Sequence, residues 1–180
     1  KFFDTKKYRK NPVPQNLSAE QFAAINIGAI NSEQTGYLCD SLSTGSSVTD
    51  IKDNLSSYYG IEDRETALET LEWLFISGHR VYFDLIKGAL SDRETQIDRS
   101  GLDEDDIARM QEYISNLRES FGNLVSYDFI KLKQMAELYR QPIDAWDMGR
   151  LVLVTRCCFD AGYISDEEAW RYIFNARSLS

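Results

Sequence analysis

The chain has 180 residues, of which 29 are Asp or Glu and 20 are Lys or Arg, so its formal charge at pH 7 is −9. This length suits one compact domain, and a composition that is 43% hydrophobic and 12% aromatic excludes a disordered chain. No apolar run approaches the ~20 residues of a membrane-spanning helix, so no transmembrane segment is predicted. The acidic balance also argues against general nucleic-acid binding, which needs a dominant basic surface.

The first ten residues, KFFDTKKYRK, are basic although the rest of the chain is acidic. We interpret residues 1–16 as a basic arm and residues 17–180 as a single domain. The arm could make a weak contact with phosphate or an anionic membrane, but we favour a solvated terminus lying on its own acidic domain. Because the chain starts without Met, an upstream segment, which could include a signal peptide, is expected. The basic side chains of the arm are those of Lys1, Lys6, Lys7, Arg9 and Lys10.

Apolar residues at helical spacing dominate the rest of the chain and predict an all-α domain of about seven or eight irregularly packed helices. Proline is absent from positions 15 to 141, which removes the strongest helix breaker. A flexible loop is predicted at 41–49, which is rich in Ser, Thr and Gly, and an exposed polar connection at 88–101. In chain order, helices are predicted at 16–30, 50–59, 64–77, 81–86, 103–121, 124–139, 144–161 and from 166 onwards.

Each predicted helix has an apolar face that should be buried. The four-residue run at 151–154 is branched and apolar enough for a buried strand, but its flanks continue the helical spacing, so we predict a helix there. The faces comprise Phe22, Ala23, Ile25, Ile27 and Ile30; Ile51, Leu55 and Tyr58; Val81, Tyr82, Leu85 and Ile86; and Ile107, Met110, Ile114, Leu117 and Phe121.

Capping residues set several of the predicted helix ends. Ser18 with Gln21, and Ser165 with Glu168, have the spacing of a capping box, in which two side chains satisfy the first backbone N–H groups of a helix. Asp63 is expected to cap the helix that follows it.

A faint repeat begins at Gly60 and again at Gly162. Each glycine is followed by a capping residue at the third place, an acidic first turn and an inward-facing alanine. Two similar helical hairpins would explain the repeat, although ordinary capping preferences explain it too and are the favoured interpretation.

Two stretches, at 60–83 and 145–170, carry three distinctive patterns: W-L-x-x-x-G-H-R, A-W-D-x-G-R and G-Y-I-S-x-E-E-A-W. They resemble the bacterial family of uncharacterised proteins known as domain of unknown function 1266. The resemblance covers the chain from about Ile25 to its C-terminus. It implies a bacterial origin, and it supplies no activity, cofactor or catalytic residue that could be transferred to this chain.

The cysteines and the single histidine leave little material for a metal site, and no metal or cofactor is predicted. Cys39, Cys157 and Cys158 form an odd number without a disulfide framework, which favours a reducing cytoplasm. The acidic run at 103–106 could suggest a calcium-binding EF-hand loop. If Asp98 is taken as the first position of that loop, Asp103 stands at position 6 in place of the required glycine and Arg109 at position 12 in place of the required glutamate, so the pattern fails.

The ionic candidates each have a structural alternative. Asp147 and Arg150 share a helix face and could bind a polar ligand, but we favour a buried structural pair. His79 could act as a general base, with Arg80 beside it, but we favour a role in capping the preceding helix. Arg156 and Asp160 have the four-residue spacing of a helical ion pair.

Two further groups of side chains could form a site. Cys157 or Cys158 with His79 would supply a nucleophile and a base, but both thiols lie in an apolar helix where cysteine acts as a small hydrophobic residue. The three tryptophans are expected to lie close together as core residues, in a cleft that would be the best candidate site. That cluster comprises Trp73, His79, Arg80, Trp146, Asp147, Arg150 and Trp170.

These observations favour a non-enzymatic binding or interaction module, whose acidic surface would suit another protein as partner. The alternative is an enzyme or small-ligand binder that uses the cleft around His79, Asp147, Arg150 and Trp170. Burial should discriminate between the two, because an enclosed Asp147 would remove the main support for the enzyme.

Overall fold

The computed structural model describes residues 9–13, 15–91, 103–126, 137 and 141–179. Within these residues the chain is all-α, with no strand, and the predicted fold class is confirmed. The exposed connection predicted at 88–101 is wrong over residues 88–91, where the helix that begins at Gly78 continues to Ser91 and Leu90 is buried. The rest of that connection and most of the helix predicted at 124–139 lie outside the described residues. The described α-helices are α1 (Ala19–Ile25), α2 (Ala29–Thr35), α3 (Val48–Tyr59), α4 (Arg64–Ile76), α5 (Gly78–Ser91), α6 (Glu104–Ser126), α7 (Asp144–Asp160) and α8 (Asp166–Leu179), with a 3-10 helix at Asn26–Gly28.

Contacts group the chain into two compact units. The first comprises Lys1–Gly78 and Asp144–Ser180, and the second comprises His79–Ile143. In the second unit, a small apolar core joins α5 to α6, through Phe83, Ile86, Leu90, Met110 and Ile114.

Helix α7 is the centre of the first unit. Every residue from 147 to 158 except Arg150 is buried, and α2, α3, α4, α8 and the 3-10 helix all pack against it. A helix that is covered on all sides needs apolar residues all round, which explains the strand-like run at 151–154. The predicted helix is therefore confirmed over this run.

Glycines allow the 3-10 helix to approach α7 closely. A Cβ atom added at Gly28 would lie 2.8 Å from Cγ1 of Val152, and one added at Gly149 would lie 2.6 Å from Oδ1 of Asn31. Real Cβ atoms essentially never come so near another heavy atom. Close packing therefore explains why the A-W-D-x-G-R pattern has a glycine at position 149.

The two copies of the sequence repeat lie at the junction between α3 and α4 and at the junction between α7 and α8. Gly60 and Gly162 both have positive φ angles, of 65° and 76°, which glycine adopts at little cost. Asp63 caps α4, and Ser165 accepts a hydrogen bond from the Glu168 N–H at the start of α8. Ala67 and Ala169, at matching positions, are both fully buried.

An ion pair joins the first turn of α4 to the first turn of α8. The Arg64 guanidinium donates to both carboxylate oxygens of Glu168, at 2.9 and 2.6 Å, and also to the carbonyl of Tyr163 at 3.3 Å. The Ser165 N–H donates to the same carboxylate at 2.9 Å, so Glu168 completes its capping box while it binds Arg64. These hydrogen bonds lower the pKa of Glu168 to about 2, with Arg64 as the main cause.

Two of the predicted buried faces in the first unit need correction. The first predicted helix is broken into α1, the 3-10 helix and α2, so it does not present one continuous face. Its Ser18–Gln21 capping box is confirmed, but Phe22 is 48% exposed and Ile30 is 74% exposed. In α3, Ile51 and Leu55 are buried as expected, whereas Tyr58 is 78% exposed.

The predicted face of α5 is also wrong except at one residue. Ile86 is buried, but Val81, Tyr82 and Leu85 are exposed by 46%, 38% and 41%. The helix instead turns Phe83, Ile86 and Leu90 toward α6. Periodicity alone could not separate the two faces because both are apolar.

We predict that Gly28→Ala lowers the free energy of unfolding by about 1–3 kcal/mol, because the new methyl group overpacks the contact with Val152. Chemical denaturation measures this change. Gly122→Ala is the control: among the residues that the structure describes, no heavy atom would lie within 4 Å of a Cβ added at Gly122 in α6, so alanine should be neutral or stabilise by up to about 1 kcal/mol. Equal effects of the two substitutions would contradict the close approach.

We predict that Glu168→Gln destabilises the protein by about 0.5–1 kcal/mol at pH 7, since the pair with Arg64 is partly exposed and screened by solvent. Glutamine can keep the capping box, so the loss isolates the ion pair. A carboxylate with a lowered pKa stabilises the folded state above its unfolded pKa of about 4.3. The difference between wild type and variant should therefore shrink as pH falls from about 4.5 toward 2, as measured by denaturation at several pH values.

Candidate functional site

The connection between α2 and α3, at 36–47, is a buried loop. It was predicted over 41–49 as a flexible segment because of its Ser, Thr and Gly content. Instead Ser41 and Thr44 are fully buried and Leu42 is nearly so. Ser47 caps α3, which begins at Val48 rather than at residue 50. Small polar residues serve here to form hydrogen bonds inside the fold, so the prediction of flexibility is not supported.

A fully buried arginine on α7 holds this loop in place. The Arg156 guanidinium donates to the carbonyls of Leu38, Leu42 and Ser43 and to the hydroxyl of Ser32, at 2.6–3.1 Å. Burial lowers the pKa of Arg156 from its ordinary value, since a low-dielectric environment disfavours the charged form. The oriented carbonyl dipoles supply the stabilisation that water would otherwise give.

Asp160 binds the same loop through contacts of its own. The helical ion pair predicted between Arg156 and Asp160 is not among the ion pairs of the described residues. One carboxylate oxygen of Asp160 accepts from both the backbone N–H and the hydroxyl of Thr44. Arg156 and Asp160 thus hold the loop at different points.

The described end of the N-terminal arm lies on the same loop. The Arg9 guanidinium donates to the carbonyls of Gly36 and Gly45 at 2.9 and 3.1 Å, and the Arg9 carbonyl accepts from the Cys39 N–H at 3.0 Å. Asn11 N–H donates to the Asp40 carboxylate at 2.8 Å. Arg9 therefore binds the loop of the first unit. Lys1, Lys6 and Lys7 lie outside the described residues.

A pocket of about 550 Å³ opens between this loop, α3 and α7. This volume falls within the range of small-molecule sites, roughly 300–1,000 Å³. Its lining includes three tyrosines, two buried leucines and a buried thiol. It is lined by Thr35, Tyr37, Ser46, Asn54, Leu55, Tyr58, Tyr59, Arg150, Leu153 and Cys157.

Arg150 is the charged group of this pocket and is held by aromatic rings. Its guanidinium carbon lies 5.6 Å from the ring centre of Tyr59 and 4.6 Å from that of Trp146. In the described part of the chain no carboxylate lies within ion-pair distance of Arg150. Cation–π contacts fix the guanidinium without using its N–H donors, which stay available to a ligand.

Two polar groups of the pocket, the Cys157 thiol and the Tyr37 hydroxyl, have pKa values raised by burial. Burial raises the pKa of the Cys157 thiol to about 12, so the group is a neutral thiol. Burial also raises the pKa of Tyr37, whose hydroxyl accepts a hydrogen bond from the Asn54 amide at 3.4 Å. A cysteine nucleophile, considered from the sequence, has no support at Cys157. The same cause raises the pKa of Cys158 further.

The sequence-predicted candidates of the first unit have different surroundings. Arg150 and Trp146 are brought together, but Asp147 is fully buried and forms no ion pair with Arg150 in the part of the chain described. Trp73 is 39% exposed and Trp146 44% exposed, so neither is the core residue expected. Trp170 is half-buried and packs on Phe174, with ring centres 5.7 Å apart.

His79 and Arg80 belong to the second unit, where both are half-buried in the first turn of α5. Gly78 precedes them with a φ of 59°, in keeping with the predicted end of the helix before it. A cleft joining them to Asp147, Arg150 and Trp170 stays a prediction. Among the residues that the structure describes, no group of three His, Cys, Asp or Glu side chains could hold a metal, and no helix is long and apolar enough to cross a membrane.

Sequence reasoning singled out Arg150 and Cys157, but it did not place them in one pocket. Tyr58 was assigned to a buried face, and Tyr37 and Tyr59 were not singled out. The available signal was the pair Tyr58-Tyr59 directly before the helix-ending Gly60, since a helix end is a natural edge of a pocket.

Comparison with known proteins gives one family match. The model of a family described as "Protein of unknown function (DUF1266)" matches residues 54–180. No curated protein and no solved structure matches the chain. The family that the sequence resembled is thereby confirmed, and it brings no activity with it.

We predict that Arg156→Met lowers the free energy of unfolding by about 3–5 kcal/mol, because four buried acceptors lose their donor at once. Urea denaturation measures the loss. Arg171→Met, at an exposed position on α8, should change the stability by no more than about 0.5 kcal/mol. A loss below about 1 kcal/mol for Arg156→Met would show that the loop is not held by this network.

Proposed function

Because the chain belongs to the DUF1266 family, whose description names no function, we propose a function from the pocket itself. The domain is a non-enzymatic binding module that takes a small molecule into the tyrosine-lined pocket between the loop at 36–47, α3 and α7. The observation that carries this proposal is the guanidinium of Arg150, held by two aromatic rings at a pocket of about 550 Å³.

The pocket resembles a binding site because its lining combines hydrogen-bonding groups, such as those of Arg150 and Asn54, with the apolar faces of tyrosine rings. The rings of Tyr58 and Tyr59 offer apolar area from which a ligand can displace water, and burial of apolar area is the usual source of affinity. Arg150, Asn54 and Ser46 would fix the orientation of the ligand through hydrogen bonds.

The chemistry of the lining supports binding rather than catalysis. Among its described residues the pocket has no Asp, Glu, His or Lys, and its thiol is neutral. General acid–base catalysis needs a group whose pKa lies near the working pH. The full burial of Asp147 also weakens the alternative of an enzyme built around His79, Asp147, Arg150 and Trp170.

A protein partner is the second candidate. Trp73 and Ile76 on α4 are 39% and 64% exposed, and the chain carries a net charge of −9. Exposed aromatic residues on an acidic protein suit a partner with a basic surface. We rank this function below the pocket because the exposure of two side chains does not by itself define a binding site.

The bacterial origin and the cytoplasmic location remain part of the proposal. The location is supported by Cys39, Cys157 and Cys158, which are buried and free, as cysteines usually are in a reducing compartment.

We predict that a small-molecule library contains compounds that raise the melting temperature of the wild-type protein, since any ligand that binds only the folded state stabilises it. Tyr58→Ala should reduce these shifts, because Tyr58 lines the pocket, and its 78% exposure means that the fold should tolerate the change. Tyr82→Ala, at an exposed tyrosine of the second unit, is the matched control and should leave them intact. A library that yields no Tyr58-dependent shift would contradict the proposed function.

A further inference from the structure

We propose that the ligand of this pocket is an aromatic monocarboxylate, a planar ring system that carries one carboxylate group. This inference rests on the proposed function and specifies its ligand. It follows from the charge, the number of cations and the ring content of the lining residues.

The charge comes from Arg150. Its guanidinium has five N–H donors, and in the described part of the chain none of them donates to a protein acceptor at hydrogen-bond distance. A guanidinium and a carboxylate match each other as planar groups and form two parallel hydrogen bonds. The rings of Tyr59 and Trp146 fix the plane of the guanidinium in advance, which lowers the entropy lost on binding.

The number of cations limits the ligand to one negative charge. Among the described lining residues Arg150 alone is charged, and the chain as a whole carries −9. A phosphate monoester carries close to two charges at pH 7 and would leave about one of them uncompensated inside an acidic protein. A carboxylate is neutralised by the single guanidinium.

The rings point to an aromatic body for the ligand. Tyr37, Tyr58 and Tyr59 all line the pocket, together with Leu55 and Leu153. Aromatic faces pack well against other rings, in offset or edge-to-face arrangements. Tyrosine cages also bind quaternary ammonium groups, but Arg150 at the same pocket would repel a cation.

The test uses four matched probes on the full chain: 2-naphthoate, 2-naphthamide, 2-naphthyl phosphate and (2-naphthyl)trimethylammonium. Isothermal titration calorimetry measures each affinity, and the ¹⁵N-resolved Nε–H signal of Arg150 reports direct contact. We expect 2-naphthoate to bind at least about tenfold more tightly than the other three probes, the typical effect of hydrogen bonds to a charged group. The Arg150 signal should shift with 2-naphthoate.

Two variants separate the charge from the pocket. Arg150→Gln should weaken 2-naphthoate by about tenfold or more and should weaken the neutral 2-naphthamide much less, and the binding of 2-naphthamide that remains shows that the pocket still folds. Arg150→Lys keeps the charge but loses the planar fork, so its affinity for 2-naphthoate should lie between those of Arg150→Gln and wild type.

Specific outcomes would overturn the inference. Equal affinity for the carboxylate and the amide, or tighter binding of the phosphate or the ammonium probe, would exclude an aromatic monocarboxylate as the ligand class. If those probes still bind and Tyr58→Ala weakens them, the pocket is a binding site and the proposed function stands. If no probe binds and the library also yields no Tyr58-dependent shift, both proposals fail.

Discussion

The first unit depends on one buried cation, the guanidinium of Arg156. Its hydrogen bonds reach three carbonyls of the loop at 36–47 and the hydroxyl of Ser32 on α2, so a single side chain of α7 joins two other segments. A buried charge is tolerated only where it is well solvated by the protein. The loop must therefore keep its carbonyls turned inward, which is why a segment of small polar residues is ordered and buried.

The same arrangement positions the pocket. Tyr37 and Ser46 reach it from the loop, while Arg150, Leu153 and Cys157 reach it from α7. Arg150 and Arg156 lie on one helix and illustrate two ways to stabilise a guanidinium. Arg156 has its donors satisfied by carbonyls inside the fold, whereas Arg150 is held by the faces of Tyr59 and Trp146 and keeps its donors for a ligand.

The helices could be predicted because they depend on interactions between residues close together in the sequence. The site could not, because it depends on contacts between residues far apart in the sequence. The capping boxes at Ser18 and Ser165 depend on residues three positions apart, and α7 was identified because its apolar spacing is continuous. The burial of the loop depends on Arg156, which lies more than a hundred positions away, so the composition of the loop could only suggest flexibility. Likewise Arg150 could be singled out from its pattern, but its aromatic partner Tyr59 lies in another helix.

The position of the loop has a consequence for where this folding unit ends. The stretch shared with the family begins at residue 54, inside α3, whereas every acceptor of the Arg156 guanidinium lies upstream of that point. A fragment cut at the family boundary would retain the arginine and lose everything that solvates it. Arg9 donates hydrogen bonds to the carbonyls of Gly36 and Gly45 in the same loop. The segment that the fold needs therefore extends toward the N-terminus at least as far as Arg9. The segment that matches the family is therefore shorter than the segment that the fold needs.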